Sequence, residues 1–188
     1  MQRRTLLKWI STGVSGVCAA GLAVPAVRFV LAPLARKTAT GPRIQRVAAL
    51  DQLPLGVPRR VPVYGARRDA WTLYPRAVIG RVWLVRASDG QTRPEETKIK
   101  AFAAECPHLG CVVDWNAQES DFLCPCHRAA FTVDGKAIGS ATLGYDNPAP
   151  RDMDRLTCRV VRDEATDRWW VEIEFERFQV GTSDKKPV

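Results

Sequence analysis

Two kinds of apolar spacing divide the chain. From Trp9 to Val27, nineteen residues pass without a charge, bounded by Lys8 and Arg28. At 1.5 Å per residue a helix of that length spans about 28 Å, close to the hydrocarbon thickness of a bilayer. The run therefore predicts one N-terminal transmembrane helix, mildly apolar because Gly, Ala, Ser and Thr are common in it, with Pro25 near its end. After residue 35 no helical period of useful length recurs, and the chain reads as short strands. Val78–Ala87 is β-branched and aromatic and runs into the turn sequence Ser88-Asp89-Gly90; Ile99–Ala104 and Leu156–Val161 are further short runs. Within Arg168–Phe178, Val171, Ile173 and Phe175 alternate with Glu172, Glu174 and Glu176, the period of a half-buried strand. These patterns predict an all-β head of small antiparallel sheets over residues 44–188. A turn-rich subdomain at about 104–150 is inserted into it. Residues 44–75 and the tail from Phe178 carry no motif.

The first residues sharpen the N-terminal reading. Met1-Gln2-Arg3-Arg4-Thr5-Leu6-Leu7-Lys8 ahead of a mild apolar run resembles a twin-arginine export signal, which serves chains that acquire a cofactor before crossing the membrane. Pro25 spoils the A-x-A-like text at Ala23–Ala26 as a cleavage site. Arg3, Arg4 and Lys8 favour a cytoplasmic N-terminus. Residues 1–34 are thus read as an uncleaved signal and single-span anchor in the cytoplasmic membrane, with the head on the extracytoplasmic side. Residues 35–43, ending in Gly41-Pro42-Arg43, form a polar neck or hinge.

Charge changes the picture only by exclusion. The 188 residues carry a formal net charge of +8, but residues 1–58 hold eight Lys/Arg against one Asp. A nucleic-acid binder should carry its basic footprint on the folded domain beside a recognition motif. Neither is present, so nucleic acid is excluded as a partner.

Cysteine and histidine carry the chemistry. Four of six Cys (Cys106, Cys111, Cys124, Cys126) fall within 21 residues, and the only two His, His108 and His127, lie among them. The text is Cys106-Pro107-His108-Leu109-Gly110-Cys111, twelve residues, then Cys124-Pro125-Cys126-His127. Two loops each offer a thiolate and an imidazole, a metal-site layout. A structural zinc would accept two Cys and two His while leaving the other Cys pair unexplained. A pure disulfide scaffold would leave both His as bystanders. Cys158, in an apolar strand, reads as a small core residue, and Cys18 sits mid-span.

These two loops resemble the cluster-binding loops of the Rieske iron–sulfur proteins. The resemblance implies a [2Fe-2S] cluster held by Cys106, His108, Cys124 and His127, with both Cys on one iron and both His on the other. It implies a disulfide between Cys111 and Cys126, worth about 3 kcal/mol in the chain-entropy model and suited to an exported head. Asn147-Pro148-Ala149-Pro150 resembles the Pro loop that covers the cluster from a third side. With Leu109, Pro148, Ala149 and Pro150 would form the apolar docking surface.

The sequence departs from the high-potential pattern Cys-Pro-Cys-His-Gly-Ser with a Tyr two residues on. Ala129 stands at the Ser, Phe131 at the Tyr, and Arg128 at the Gly. Losing two hydroxyl donors to cluster sulfurs lowers the reduction potential; Arg128 pushes the other way unless solvent screens it.

What the resemblance implies for function is the Rieske subunit of a quinol:cytochrome c oxidoreductase of the cytochrome bc type, an oxidoreductase only as part of its complex. His127 or His108 would accept a hydrogen bond from a quinol, menaquinol in view of the lowered potential, so that electron and proton leave together. Cytochrome b and a c-type cytochrome would be its partners in a multi-subunit, dimeric complex. The rival reading is the small Rieske subunit of an arsenite-oxidase-like molybdoenzyme. A soluble Rieske ferredoxin fits less well, because those proteins lack an anchor and the Cys111/Cys126 pair.

Overall fold

A computed structural model describes residues 2–32, 43–69, 72–87 and 93–188. The chain divides into two units, Met1–Thr40 and Gly41–Val188. In the first, α1 (Arg3–Leu31) is one helix with Pro25 inside it and no buried residue. By length, and by an 18-residue window of mean hydropathy 1.9, it is long and apolar enough to cross a membrane. Nearly all of the neck expected at 35–43 lies outside the described residues; Arg43 opens the first strand.

The second unit is three antiparallel sheets. β1 (Arg43–Ala49), β10 (Arg168–Phe175) and β9 (Cys158–Asp163) form one, in the order β1-β10-β9. The central sheet runs β2-β3-β4-β8, from β2 (Arg59–Asp69), β3 (Thr72–Arg86), β4 (Ile99–Ala103) and β8 (Arg155–Leu156). The third is β5-β6-β7, from β5 (Asp114–Asn116), β6 (Asp121–Leu123) and β7 (Ala130–Thr132). One helical turn, α2 (Ser140–Leu143), follows.

The central sheet is buried on both faces, and strand periodicity says how. In β3, Val82 and Leu84 point into a core shared with Val171 and Ile173 of β10 and Val63 of β2. Their neighbours Trp83 and Val85 point the opposite way, into a second core with Phe102, Phe122 and Phe131. Successive strand side chains face opposite sides, so the run Val82-Trp83-Leu84-Val85 feeds two cores at once. That is why its text is continuous rather than alternating. β10 has only one core to face: Val171, Ile173 and Phe175 are buried and the glutamates between them are not.

On that outer sheet charges stand in register. Arg46 of β1 pairs with Glu172 of β10, which pairs with Arg159 of β9, and both guanidiniums bond the carboxylate at 3.0–3.1 Å. Cross-strand opposite charges of this kind support the pairing. The Arg46 hydrogen bond is the main cause holding Glu172 below the usual carboxylate range.

Several expectations are corrected. β3 begins at Thr72, six residues ahead of Val78, and pairs with β2, a strand that no sequence pattern announces. Residues 64–69 and 72–79 of this pair form a two-stranded ribbon beyond β4, which engages only Val82–Arg86. Leu156–Val161 is split between β8 and β9, and β10 stops at Phe175, three residues before the expected Phe178. Cys158 is part-buried against the first core, its thiol donating to the Ile99 carbonyl at 3.1 Å.

Trp83→Ala is expected to cost about 3–5 kcal/mol, while Leu109→Ala, at a residue 58 % exposed, stays within about 0.5 kcal/mol; urea unfolding of the detergent-solubilised chain compares them. A depressed carboxylate pKa contributes stability that is full above the unfolded value, about 4.3 for Glu, and is lost as pH falls toward the folded one. Acid unfolding of wild type should therefore steepen below about pH 4.3, and Glu172→Gln should flatten that limb.

Candidate metal centre

Two loops meet at one end of the second core. The first, Cys106–Cys111, follows β4; the second, Cys124–Ala129, joins β6 to β7. They share one backbone plan. The Cys106 N–H donates to the Cys111 carbonyl (2.7 Å) and the Gly110 N–H to the Cys106 carbonyl (2.9 Å); the Cys124 N–H donates to the Ala129 carbonyl (2.8 Å) and the Arg128 N–H to the Cys124 carbonyl (2.9 Å). In both loops the fifth residue takes a left-handed backbone, Gly110 at φ 79° and Arg128 at φ 60°. Glycine adopts that conformation freely, whereas a side chain costs about 1 kcal/mol there.

The two cysteines that open the loops are buried, Cys106 at 0 % exposure and Cys124 at 1 %. Burial pushes the Cys106 thiol up to about 11; the backbone N–H groups of His108 and Leu109 oppose this, and the neighbouring Cys124 adds to it. The sulfurs are thus close together in an apolar wall. Cys111 and Cys126 are joined in a disulfide, their Cα atoms 6.5 Å apart. The sulfurs of Cys111, Cys124 and Cys126 lie within 4.8 Å of one another, but the disulfide removes two of them as ligands and places Cys124 against the bridge.

Both imidazoles stand at the outer end. Their ring centroids are 5.0 Å apart at an interplanar angle of 81°; His127 is exposed and His108 part-buried. His108 Nδ1 is itself buried and has no hydrogen-bond partner in the protein. A buried polar atom left unpaired costs about 1–3 kcal/mol, and a metal ion bonded there would remove that cost. Two adjacent buried sulfurs, one orphaned imidazole nitrogen and a second imidazole beside it make a donor set that fits a metal cluster of mixed sulfur and nitrogen ligation.

The remaining sequence-derived residues lie around this centre. Ala129 and Phe131 are fully buried. Leu109 is exposed, Pro148 and Ala149 are part-buried and Pro150 is exposed. Asn147 fastens its loop by donating from Nδ2 to the carbonyls of Ala130 (2.8 Å) and Ile138 (2.9 Å). Arg128 does not simply extend into solvent. Its guanidinium lies 4.4 Å over the Tyr145 ring, whose hydroxyl donates to the Arg128 carbonyl at 2.9 Å. Tyr145 therefore clasps the one strained residue of the second loop from both ends, a role that no motif in the sequence announced. The C-terminal tail was missed as well: the Gly181 N–H donates to the Pro107 carbonyl at 2.8 Å, so the tail touches the first loop.

A family model described as the Rieske [2Fe-2S] domain matches residues 43–144. The iron-sulfur subunit of menaquinol:cytochrome c reductase from Geobacillus thermodenitrificans is 35% identical over 139 residues, 72% of this chain and 76% of that protein. A cytochrome b6-f complex iron-sulfur subunit from Synechococcus sp. is 28% identical over 172 residues, 90% of this chain and 88% of the relative. Among solved structures, the plasma membrane Rieske protein of Synechocystis PCC 6803 is 28% identical and matches with a TM-score of 0.35, covering 49% of this chain and 76% of that one.

Cys111→Ala with Cys126→Ala is expected to cost about 3 kcal/mol of stability in thermal or urea unfolding under oxidising conditions. Dithiothreitol should lower the wild type to the same level and leave the double variant where it was.

Proposed function

The chain belongs to the Rieske [2Fe-2S] domain family, and from that premise we propose that it is the iron–sulfur subunit of a cytochrome bc-type complex that oxidises menaquinol and reduces a c-type cytochrome. It is a single-pass membrane protein and a subunit of an oxidoreductase complex. The observation that carries the finer reading is the asymmetry of the centre: sulfur donors fully buried, imidazoles at the surface. A relay needs that order, with the metal insulated from water and one edge open to a partner.

Cys106, Cys124, His108 through Nδ1, and His127 would hold the group. When bound, the [2Fe-2S] group supplies a one-electron site of raised potential, because imidazole replaces thiolate on one iron. The work of the side chains is protonic and steric. The exposed ring of His127 would accept a hydrogen bond from a quinol hydroxyl and take its proton; His108 stands beside it. Leu109 and the Pro148–Pro150 loop supply the apolar rim that excludes water around a bound quinol head or haem edge. α1 anchors the head, with Arg3, Arg4 and Lys8 on the cytoplasmic side and the head opposite. Residues 35–42, ahead of the Arg43 that opens β1, would be the neck, eight residues that reach at most about 29 Å. Cytochrome b and c-type cytochrome subunits, in a dimeric assembly, are the partners this reading requires. Two relatives named for menaquinol:cytochrome c reductase support menaquinol as the donor. So does the absence of hydroxyls at Ala129 and Phe131.

An EPR-monitored redox titration of membranes holding the protein, closed by a quinol-site inhibitor, tests the reading. A signal of mean g below about 2 that shifts with inhibitor is expected; a Rieske signal indifferent to every quinol-site inhibitor would overturn quinol oxidation. Ala129→Ser and Phe131→Tyr are each expected to raise the midpoint potential. One hydrogen bond of about 1 kcal/mol corresponds to about 40 mV for a one-electron couple.

A further inference from the structure

The tail that the sequence left without a motif is a closed strap. Phe178 bridges to Pro187, the Gln179 N–H donates to the Lys186 carbonyl at 2.8 Å, and the Val188 N–H to the Arg177 carbonyl at 3.0 Å. Its free turn lies on the first cluster loop. The Gly181 N–H donates to the Pro107 carbonyl at 2.8 Å, and a Cβ at Gly181, where φ is +75°, would sit 3.5 Å from the His108 carbonyl oxygen. At the root of the strap, Arg177 pairs at 3.1 Å with Glu105, the residue before Cys106.

One side chain ties this strap down. Arg151 is 9 % exposed and Asp154 only 5 %. The guanidinium donates from Nε (3.0 Å) and Nη2 (2.7 Å) to the two Asp154 oxygens, from Nη2 to the Gln179 carbonyl (2.8 Å), and from Nη1 to the carbonyl and hydroxyl of Thr182. An arginine has five N–H donors, and each has an acceptor here. Asp154 is fixed in turn, because its carbonyl accepts the Ala103 N–H of β4 at 2.8 Å. The guanidinium thus joins the β4 edge, the end of the Pro loop and the strap that lies on the Cys106 loop.

Energy alone does not account for such a group. A buried ion pair recovers little beyond its desolvation, and apolar residues of like volume often serve stability as well. What an apolar pair cannot do is hold two backbone segments at fixed separation through five directed bonds. We propose that Arg151 is a positioning residue for the first cluster loop: acting through the C-terminal strap, it fixes the backbone that presents Cys106 and His108. The proposal deepens the reading of those residues as cluster ligands and rests on it.

The test uses the full chain, with and without cluster. In the apo chain, alkylation is followed by peptide mass spectrometry at Cys106, beneath the strapped loop, and at Cys158, in the other core. Arg151→Met should speed reaction at Cys106 relative to Cys158 by about tenfold, because local opening of the loop becomes easier. Leu84→Ala, which loosens the core that Cys158 packs against, should speed Cys158 at least as much as Cys106. Gly181→Ala, which strains the turn of the strap because φ there is +75°, should reproduce the Arg151→Met effect, and Arg151→Lys should restore part of the wild-type rate. In the loaded chain, Arg151→Met should shift the EPR g values and the midpoint potential, and Leu84→Ala should not. Arg151→Met with a lowered melting temperature but a Leu84→Ala-like alkylation ratio, and wild-type g values and potential, would overturn the proposal. A wild type that binds no [2Fe-2S] group while the alkylation ratio still responds to Arg151→Met would overturn the ligand reading and leave the strap standing.

Discussion

Everything in the head depends on one strand having two insides. Val82 to Val85 faces the β1-β10-β9 sheet with alternate side chains and the cluster-bearing sheet with the others. Packed interiors do not yield to small displacements, so the metal-binding loops inherit the rigidity of a sheet whose opposite face is filled by a separate core. Trp83 makes the link explicit. Its indole N–H donates to the Val113 carbonyl at 3.0 Å, two residues past the first loop, and its ring packs 5.3 Å from Phe122, at the base of the second.

On that platform the centre gathers groups that ordinary packing keeps apart. The protein spends burial on two neighbouring thiols and leaves an imidazole nitrogen without a partner, a local deficit that ordinary packing avoids. Such deficits concentrate at functional sites. The supports around it are correspondingly dense: a repeated backbone plan in both loops, the Cys111–Cys126 bridge, the Tyr145 clasp on Arg128, the Asn147 clamp and the strap. Each constrains a loop whose own residues have little reason to stay where the metal needs them.

Legibility followed the physics of each signal. The glutamate alternation in β10 and the apolar run of β3 were visible because burial on one face or two writes a period into the text. The Cys-His loops were visible because donor type and spacing are chemical rather than conformational. β2 was invisible: its outer half projects beyond the cores, so Tyr64, Gly65, Ala66 and Arg67 follow no burial period. Arg128 could be seen as a replacement for Gly but not as a stacked one, since its partner Tyr145 lies seventeen residues away with no regular element between them to set a spacing. Arg151 gave no warning at all, because two of its acceptors are backbone carbonyls of a tail without periodicity.

The projecting ribbon of β2 and β3 has a bearing on how the chain avoids itself. Over residues 64–69 and 72–79 these strands pair only with each other among the described residues, which leaves N–H and C=O groups open along both margins. Open margins of that kind invite a second chain to add on and start a cross-β stack. Here Pro62 and Pro75 remove donors, register shifts fall at Val63/Tyr64 and Gly65/Arg67, where bulged strands bend and twist, and charged Arg67 and Asp69 pair at 3.3 Å on the ribbon. A margin interrupted in this way resists the addition of a second strand.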